Sequence, residues 1–166
     1  MIVRKLVAAL AVALFLAAPS RAQDALVTYK SLSPEVALEL ARAALGECRK
    51  RGYQASVAVT DRFGIPQVLL RDRFAGAHTA RTAVDKAWTA ASFRTNTTDL
   101  VTSTQPGMPQ AGLRQLPGAV ILGGGLVVEA GGSLVGAVGV SGAPGGDADD
   151  ACGKAGIEAV RDKLDF

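Results

Sequence analysis

The chain has 166 residues, with 18 Lys and Arg, 15 Asp and Glu, two cysteines and one histidine. Residues 1–22 read as an export signal: Arg4 and Lys5, the apolar run LVAALAVALFLAA, then Ser20-Arg21-Ala22 as a small-x-small cleavage site. Cleavage removes three basic residues and no acid, leaving 15 of each sign on residues 23–166, which excludes a basic nucleic-acid-binding face. The mature chain has the length of one domain with its own core, and no later apolar run approaches the ~20 residues that cross a bilayer, so the expected location is periplasmic or secreted.

Residues 26–29 predict a short extended piece. Ser33-Pro34-Glu35 then predicts a helix start, with an N-cap, a proline at the first helical position and an acid in the first turn. Ala37, Leu40, Ala41, Ala44, Leu45 and Cys48 recur at helical period, and Gly52 follows Arg49-Lys50-Arg51, three cations suited to the negative helix end. SVAVTDRFGIPQVLLRD predicts a hairpin turning at residues 61–64, with Gly64 at positive φ and Pro66 at an edge or a strand start. A second helix is expected over residues 79–93, burying Ala80, Ala83, Val84, Ala87, Trp88 and Ala91, and Thr97-Thr98-Asp99 opens a short helical turn.

Fifteen of the 19 glycines fall in residues 107–156. They are interleaved with apolar β-formers in GAVILGGGLVVEAGGSLVGAVGVSG, which reads as three short strands with a hairpin turn at residues 130–133 rather than as disorder. Gly136 and Gly139 leave room for a helix or a neighbouring chain. With charged residues only 20% of the chain, this predicts a homo-oligomer. The turn GVSGAPGGDADDA lacks the Lys-Ser/Thr of a phosphate-binding loop, and its acids oppose an anion, so it predicts a strand-to-helix turn with Asp147 as N-cap. The last helix is expected over residues 147–163, burying Ala148, Ala151, Cys152, Ala155, Ala159 and Val160. Runs of adjacent strands between helices predict an α+β fold with a mostly antiparallel sheet, five strands in all. Cys48 and Cys152 can pair in an exported protein if their helices lie antiparallel on one face of that sheet; otherwise each is a small buried hydrophobe.

Several ordered motifs carry a resemblance: VTDRFGIPQVLLRD with its D-x-x-G turn, K-A-x-T-A beginning at Lys86, and G-A-V-G-V-S-G before an acidic helix start. From about Ser33 to Val160 the chain resembles the GlcG/HbpS-type haem-binding-protein family, related to the C-terminal domain of PduO proteins. The resemblance implies a five-stranded antiparallel sheet between helices in a profilin-like arrangement and assembly into dimers or larger oligomers. It also implies haem as a cofactor of some members, with haem degradation or redox sensing as associated roles. The Glu-x-x-Glu iron site described for the family has no match here, because Glu35 and Glu39 are spaced by four.

His78, set in RFAGAHTA, is then the residue to test as an iron ligand, with Arg71 and Arg73 as cations for propionates and Phe74 as an aromatic wall. The competing reading of His78 is a polar residue at a helix start, facing water. Met108 is a second candidate ligand or a loop packing residue, and Lys86 pairs with a carboxylate or snorkels to solvent. No Cys-His cluster, G-x-S-x-G or H-E-x-x-H motif argues for an enzyme. The reading is an exported haem-binding module. Its alternative is an accessory enzyme or sensor in which Arg71, Arg73 and Lys86 hold a small carboxylate metabolite without haem.

Overall fold

Ser33 accepts a hydrogen bond from the Val36 N–H at 3.4 Å and Pro34 takes the first helical position, so helix α1, Pro34–Lys50, starts where its cap lies. The structure, a computed structural model, describes residues 26–164; the export signal read over residues 1–22 lies outside them. Strands β1 (Ser56–Asp61) and β2 (Pro66–Arg71) follow, then helices α2 (Ala77–Phe93) and α3 (Thr97–Ser103), a 3-10 turn at Ala111–Gln115, strands β3 (Gly125–Ala130) and β4 (Ser133–Ser141), helix α4 (Gly146–Glu158) and a last 3-10 turn at Arg161–Lys163. The fold is α+β, with four strands in one antiparallel sheet of order β2-β1-β4-β3.

The fifth strand expected upstream of β3 does not form. The Val120 N–H donates to Thr89 Oγ1 of α2 at 2.9 Å instead of to a neighbouring strand. Gly123 then passes against Gly146, where a Cβ would come within 2.9 Å of the Gly146 Cα. These residues cross from α2 to the start of α4, and their backbone is used in packing rather than in a ladder. The first hairpin matches its sequence. Gly64 has φ +81°, the Asp61 carboxylate accepts from the Phe63 and Ile65 N–H groups, and Pro66 opens the edge strand β2.

Alternation along the strands gives the sheet two unlike faces. Val57, Val59, Leu126, Val128, Val138 and Val140 join the α1 stripe and Cys152 in the main apolar core. All six α1 stripe residues predicted from periodicity are buried. Across this layer Cys48 and Cys152 form a disulfide, with Cα atoms 5.3 Å apart, tying α1 to α4. The opposite face carries Ser56, Ala58, Thr60, Ala137 and Gly139, and α2 lies on it. A Cβ on Gly139 would overlap the Ala83 carbonyl oxygen, so this glycine admits the α2 backbone. Because β4 is an inner strand, Gly136 and Gly139 meet the protein's own residues, Thr60 and Leu32 in one case and Ala83 in the other, rather than a second copy.

Both later helices are rotated from their predicted faces. In α2 the buried set is Thr79, Ala83, Lys86, Ala87, Thr89, Ala90 and Ala91, while Ala80, Val84 and Trp88 are half-buried. In α4 it is Asp149, Asp150, Cys152, Gly153 and Gly156; Ala148, Ala151 and Ala155 are half-buried and Ala159 is exposed. That helix is capped by Gly145 rather than Asp147 and ends at Glu158 rather than 163. Its buried carboxylates turn toward their partners on α2, α3 and the segment before β3, and Gly156 admits α1 at a place where a Cβ would stand 2.8 Å from the Leu40 carbonyl oxygen.

Candidate functional site

Three chain reversals converge at one end of the sheet: the loop after α1, the turn into α2 and the glycine-rich turn into α4. With α3 and the segment before β3 they enclose an open cleft of about 1320 Å³. This is roomier than the roughly 300–1,000 Å³ of most small-molecule sites.

Along α2 the cleft is lined by Thr79 and by His78, Thr82 and Lys86, the last three spaced by four and therefore on one stripe of the helix. His78 is exposed in the first turn. Its ring folds back over Gly76, where a Cβ would come within 2.7 Å of the imidazole, so glycine at the N-cap leaves the space the ring takes. Thr82 Oγ1 donates to the His78 carbonyl at 2.9 Å. Phe74 is 78% exposed and lines the same cleft, as do Tyr53 and Gln54. The Gln54 side-chain oxygen accepts from the Phe74 N–H at 3.3 Å, which ties the two loops together.

Lys86 closes the inner end. It is 3% exposed, and Nζ donates to Asp149 Oδ2 at 2.8 Å and to the Val140 carbonyl at 2.9 Å. Of the two readings of Lys86, pairing with a carboxylate is the one that forms, as a buried ion pair, in place of snorkelling to solvent. Asp149 Oδ1 accepts from the Ala143 N–H at 3.0 Å, yet burial outweighs Lys86 and this N–H and holds the Asp149 carboxyl above the usual carboxylate range. Asp150 accepts from the Gly124 N–H at 2.6 Å and from Thr98 Oγ1 at 2.7 Å. At Gly124 a Cβ would stand 2.9 Å from Lys86 Nζ, so the glycine run before β3 is a close passage over this polar layer.

Of the five residues proposed from sequence, the structure brings His78, Phe74 and Lys86 to the cleft and leaves Arg71 and Arg73 outside its lining. Arg71 Nη2 donates to the Ala75 carbonyl, and the Arg73 guanidinium lies over the Phe74 ring, 5.9 Å from its centroid. Met108 is exposed and also lies outside the lining. Periodicity missed Arg114, which stands in the short 3-10 turn at Ala111–Gln115, and Asp149, whose burial only the fold reveals. The signal pointing toward Asp149 was the acid cluster at a helix start, read as capping.

Helices α2 and α4 both begin at the cleft with glycine N-caps and no side-chain cap, whereas α1, which starts away from it, is capped by Ser33. The first-turn N–H groups of α2, which has no acid in that turn, bias its end of the cleft toward carboxylates or other anions, whereas Asp147 and Asp149 in the first turn of α4 offset that bias there. Among the described residues no group of three or more metal-ligating side chains forms, and no helix is long and apolar enough to cross a membrane.

Comparisons with known proteins place this geometry in context. Residues 32–158 match the family model described as "Haem degrading protein HbpS-like". A double mutant of HbpS from Streptomyces reticuli is 37% identical, with 87% of this chain and 97% of that one covered and a TM-score of 0.78. PduOC in its complex with haem is 30% identical, with 78% and 94% covered and a TM-score of 0.73. The corrinoid adenosyltransferase PduO of Citrobacter freundii is 32% identical over 114 residues, and this chain spans about a third of its length. The match over nearly all of the described domain, in sequence and in fold, shows that the chain belongs to the HbpS-like family.

Proposed function

We propose that the protein is an exported haem-binding module and that the cleft at the end of the sheet holds the cofactor. The observation that carries this reading is the cleft itself: it is large, two helices start at it without side-chain caps, and it is lined by the protein's one histidine, which is exposed, and by an exposed phenylalanine. The complex of the related PduOC with haem supports the same ligand class. His78 is the residue to bind iron, Phe74 and Tyr53 offer ring faces to the macrocycle, and the start of α2, free of first-turn acids, favours a propionate. When bound there, haem would supply a redox-active iron, which the His78 imidazole would hold. Haem handling or redox sensing outside the cytoplasm is the role proposed for such a module, in keeping with the signal sequence. Exposed Phe63, Ile65 and Leu69 on and beside the edge strand β2 support self-association into a homo-oligomer, at a place other than the glycine-rich strand.

Titration of the purified mature protein with haemin tests the reading. A Soret band shifted from that of free haemin is expected for the wild type, and its loss or displacement for His78→Ala, with an unchanged far-UV circular dichroism spectrum because His78 is exposed and outside both apolar clusters. Wild-type spectrum and affinity in His78→Ala would remove His78 as the ligand and turn attention to the Tyr53 phenol in the same cleft. Absence of any haemin binding would leave a small carboxylate metabolite as the ligand of the cleft.

A further inference from the structure

We propose that Arg114 is the side chain that fixes a haem propionate in the cleft, a role the neighbouring sequence offers to Arg71 and Arg73. The inference rests on the haem reading above and deepens it by naming the cation that orients the ligand.

Lys and Arg contribute two side chains to the cleft lining, Lys86 and Arg114. Lys86 is neutralised by Asp149 and buried, and drawing it to a ligand would strand that carboxylate. Arg114 forms no ion pair among the described residues. Its guanidinium is nevertheless held in place: Nε donates to the Thr104 carbonyl at 2.8 Å and Nη2 to the Val101 carbonyl at 3.0 Å, at the C-terminal end of α3. A guanidinium has five N–H donors, so two are used in positioning and three remain for a ligand. A pre-fixed planar cation with unspent donors on a cleft wall suits a carboxylate, which it can meet through two parallel hydrogen bonds. Asp147, exposed in the first turn of α4 on another part of the lining, repels a carboxylate and makes the Arg114 wall the more favourable side. Arg71 and Arg73, by contrast, are engaged outside the lining.

Arg114 also closes the end of α3, so the test must separate binding from loop structure. Haemin and haemin dimethyl ester, whose propionates carry no charge, are titrated into the wild type, Arg114→Gln and Arg114→Lys. The glutamine amide can still donate to one of the two carbonyls while removing the charge. Arg114→Gln is expected to weaken haemin binding by about 10- to 100-fold, the scale of a charge-assisted hydrogen bond, with the Soret position unchanged and the ester bound as by the wild type. Arg114→Lys should recover part of the haemin affinity. Equal haemin affinity in the wild type and Arg114→Gln would overturn the proposal, as would an equal loss for haemin and its ester, since the arginine would then act only through the loop. If the wild type binds neither compound, the haem reading itself fails, a result distinct from both.

Discussion

The two faces of the sheet are built on opposite principles. On the face under α1 and α4, large aliphatic side chains and a disulfide fill one continuous apolar cluster. On the face under α2, side chains shrink to Ser56, Ala58, Ala137 and Gly139, and the second apolar cluster has only Ala90, Ala91 and Ala137 as its buried members. There backbone meets backbone, and polar groups are joined to specific partners: Ser56 Oγ with Thr79 Oγ1 at 2.8 Å, Lys86 with Asp149, and Thr97 Oγ1 with the Gly125 N–H at 2.9 Å. The apolar face derives stability from area removed from water, which degrades gradually when volume is lost. The other face depends on each partner being present, so single deletions there strand a buried group. The cleft opens where this polar layer reaches the end of the sheet, which places binding next to the exacting part of the structure and stability in the tolerant part.

The sharpest way to break this comparison is to unpair the buried ions. Asp149→Asn leaves the Lys86 ammonium buried without a counter-charge and should cost about 3–5 kcal/mol in urea unfolding, whereas Lys86→Met combined with Asp149→Leu should recover most of that loss. A loss below about 0.5 kcal/mol for Asp149→Asn would show that the pair is not a structural unit.

Removing the disulfide tests the tolerant face. It closes a sequence separation of 104 residues, and Cys48→Ala with Cys152→Ala should cost about 2–4 kcal/mol, chiefly through the freer unfolded chain. Haemin affinity should stay as in the wild type. A large fall in affinity at full folding would instead show that α4, which carries both Cys152 and Asp149, transmits changes from the apolar face into the cleft.

The smallest expected effect is a difference in pH response. Arg49 donates to both Asp72 carboxylate oxygens, at 2.7 and 3.0 Å, and holds this carboxyl below the usual range. Its contribution is therefore complete above about pH 4, and it is lost as acid carries the protein down through the depressed native value. Asp149 has the opposite sign: its native carboxyl is raised by burial, so the native state takes up the proton first and stability declines as pH rises through that raised value. Thermal unfolding midpoints against pH should accordingly fall less steeply at the acid end for Asp72→Asn than for the wild type. Identical slopes would mean that the Arg49 pair adds nothing to acid sensitivity.

Helix α1, the first hairpin, the turn before β4 and the α+β class were legible in the chain because each rests on local chemistry. A Ser-Pro cap, a 3.6-residue apolar period, and glycines at residues 64, 131 and 132 that take positive φ do not need the rest of the molecule to be recognised. The ordered motifs likewise identified the family, and the histidine, phenylalanine and lysine named from them do line one cleft. The fifth strand, the rotations of α2 and α4, the burial of Lys86 and the place of Arg114 were decided only by tertiary contacts. The apolar run at residues 119–122 looks like a strand, but a strand exists only if a neighbour accepts its backbone, and Thr89 took the Val120 N–H instead. A lysine beside an alanine stripe reads as solvated until an acid 63 residues later in the chain is folded against it. Hydrogen bonds and ion pairs between distant segments leave no period in the sequence, because what selects them is the position of a partner rather than the character of the residue itself.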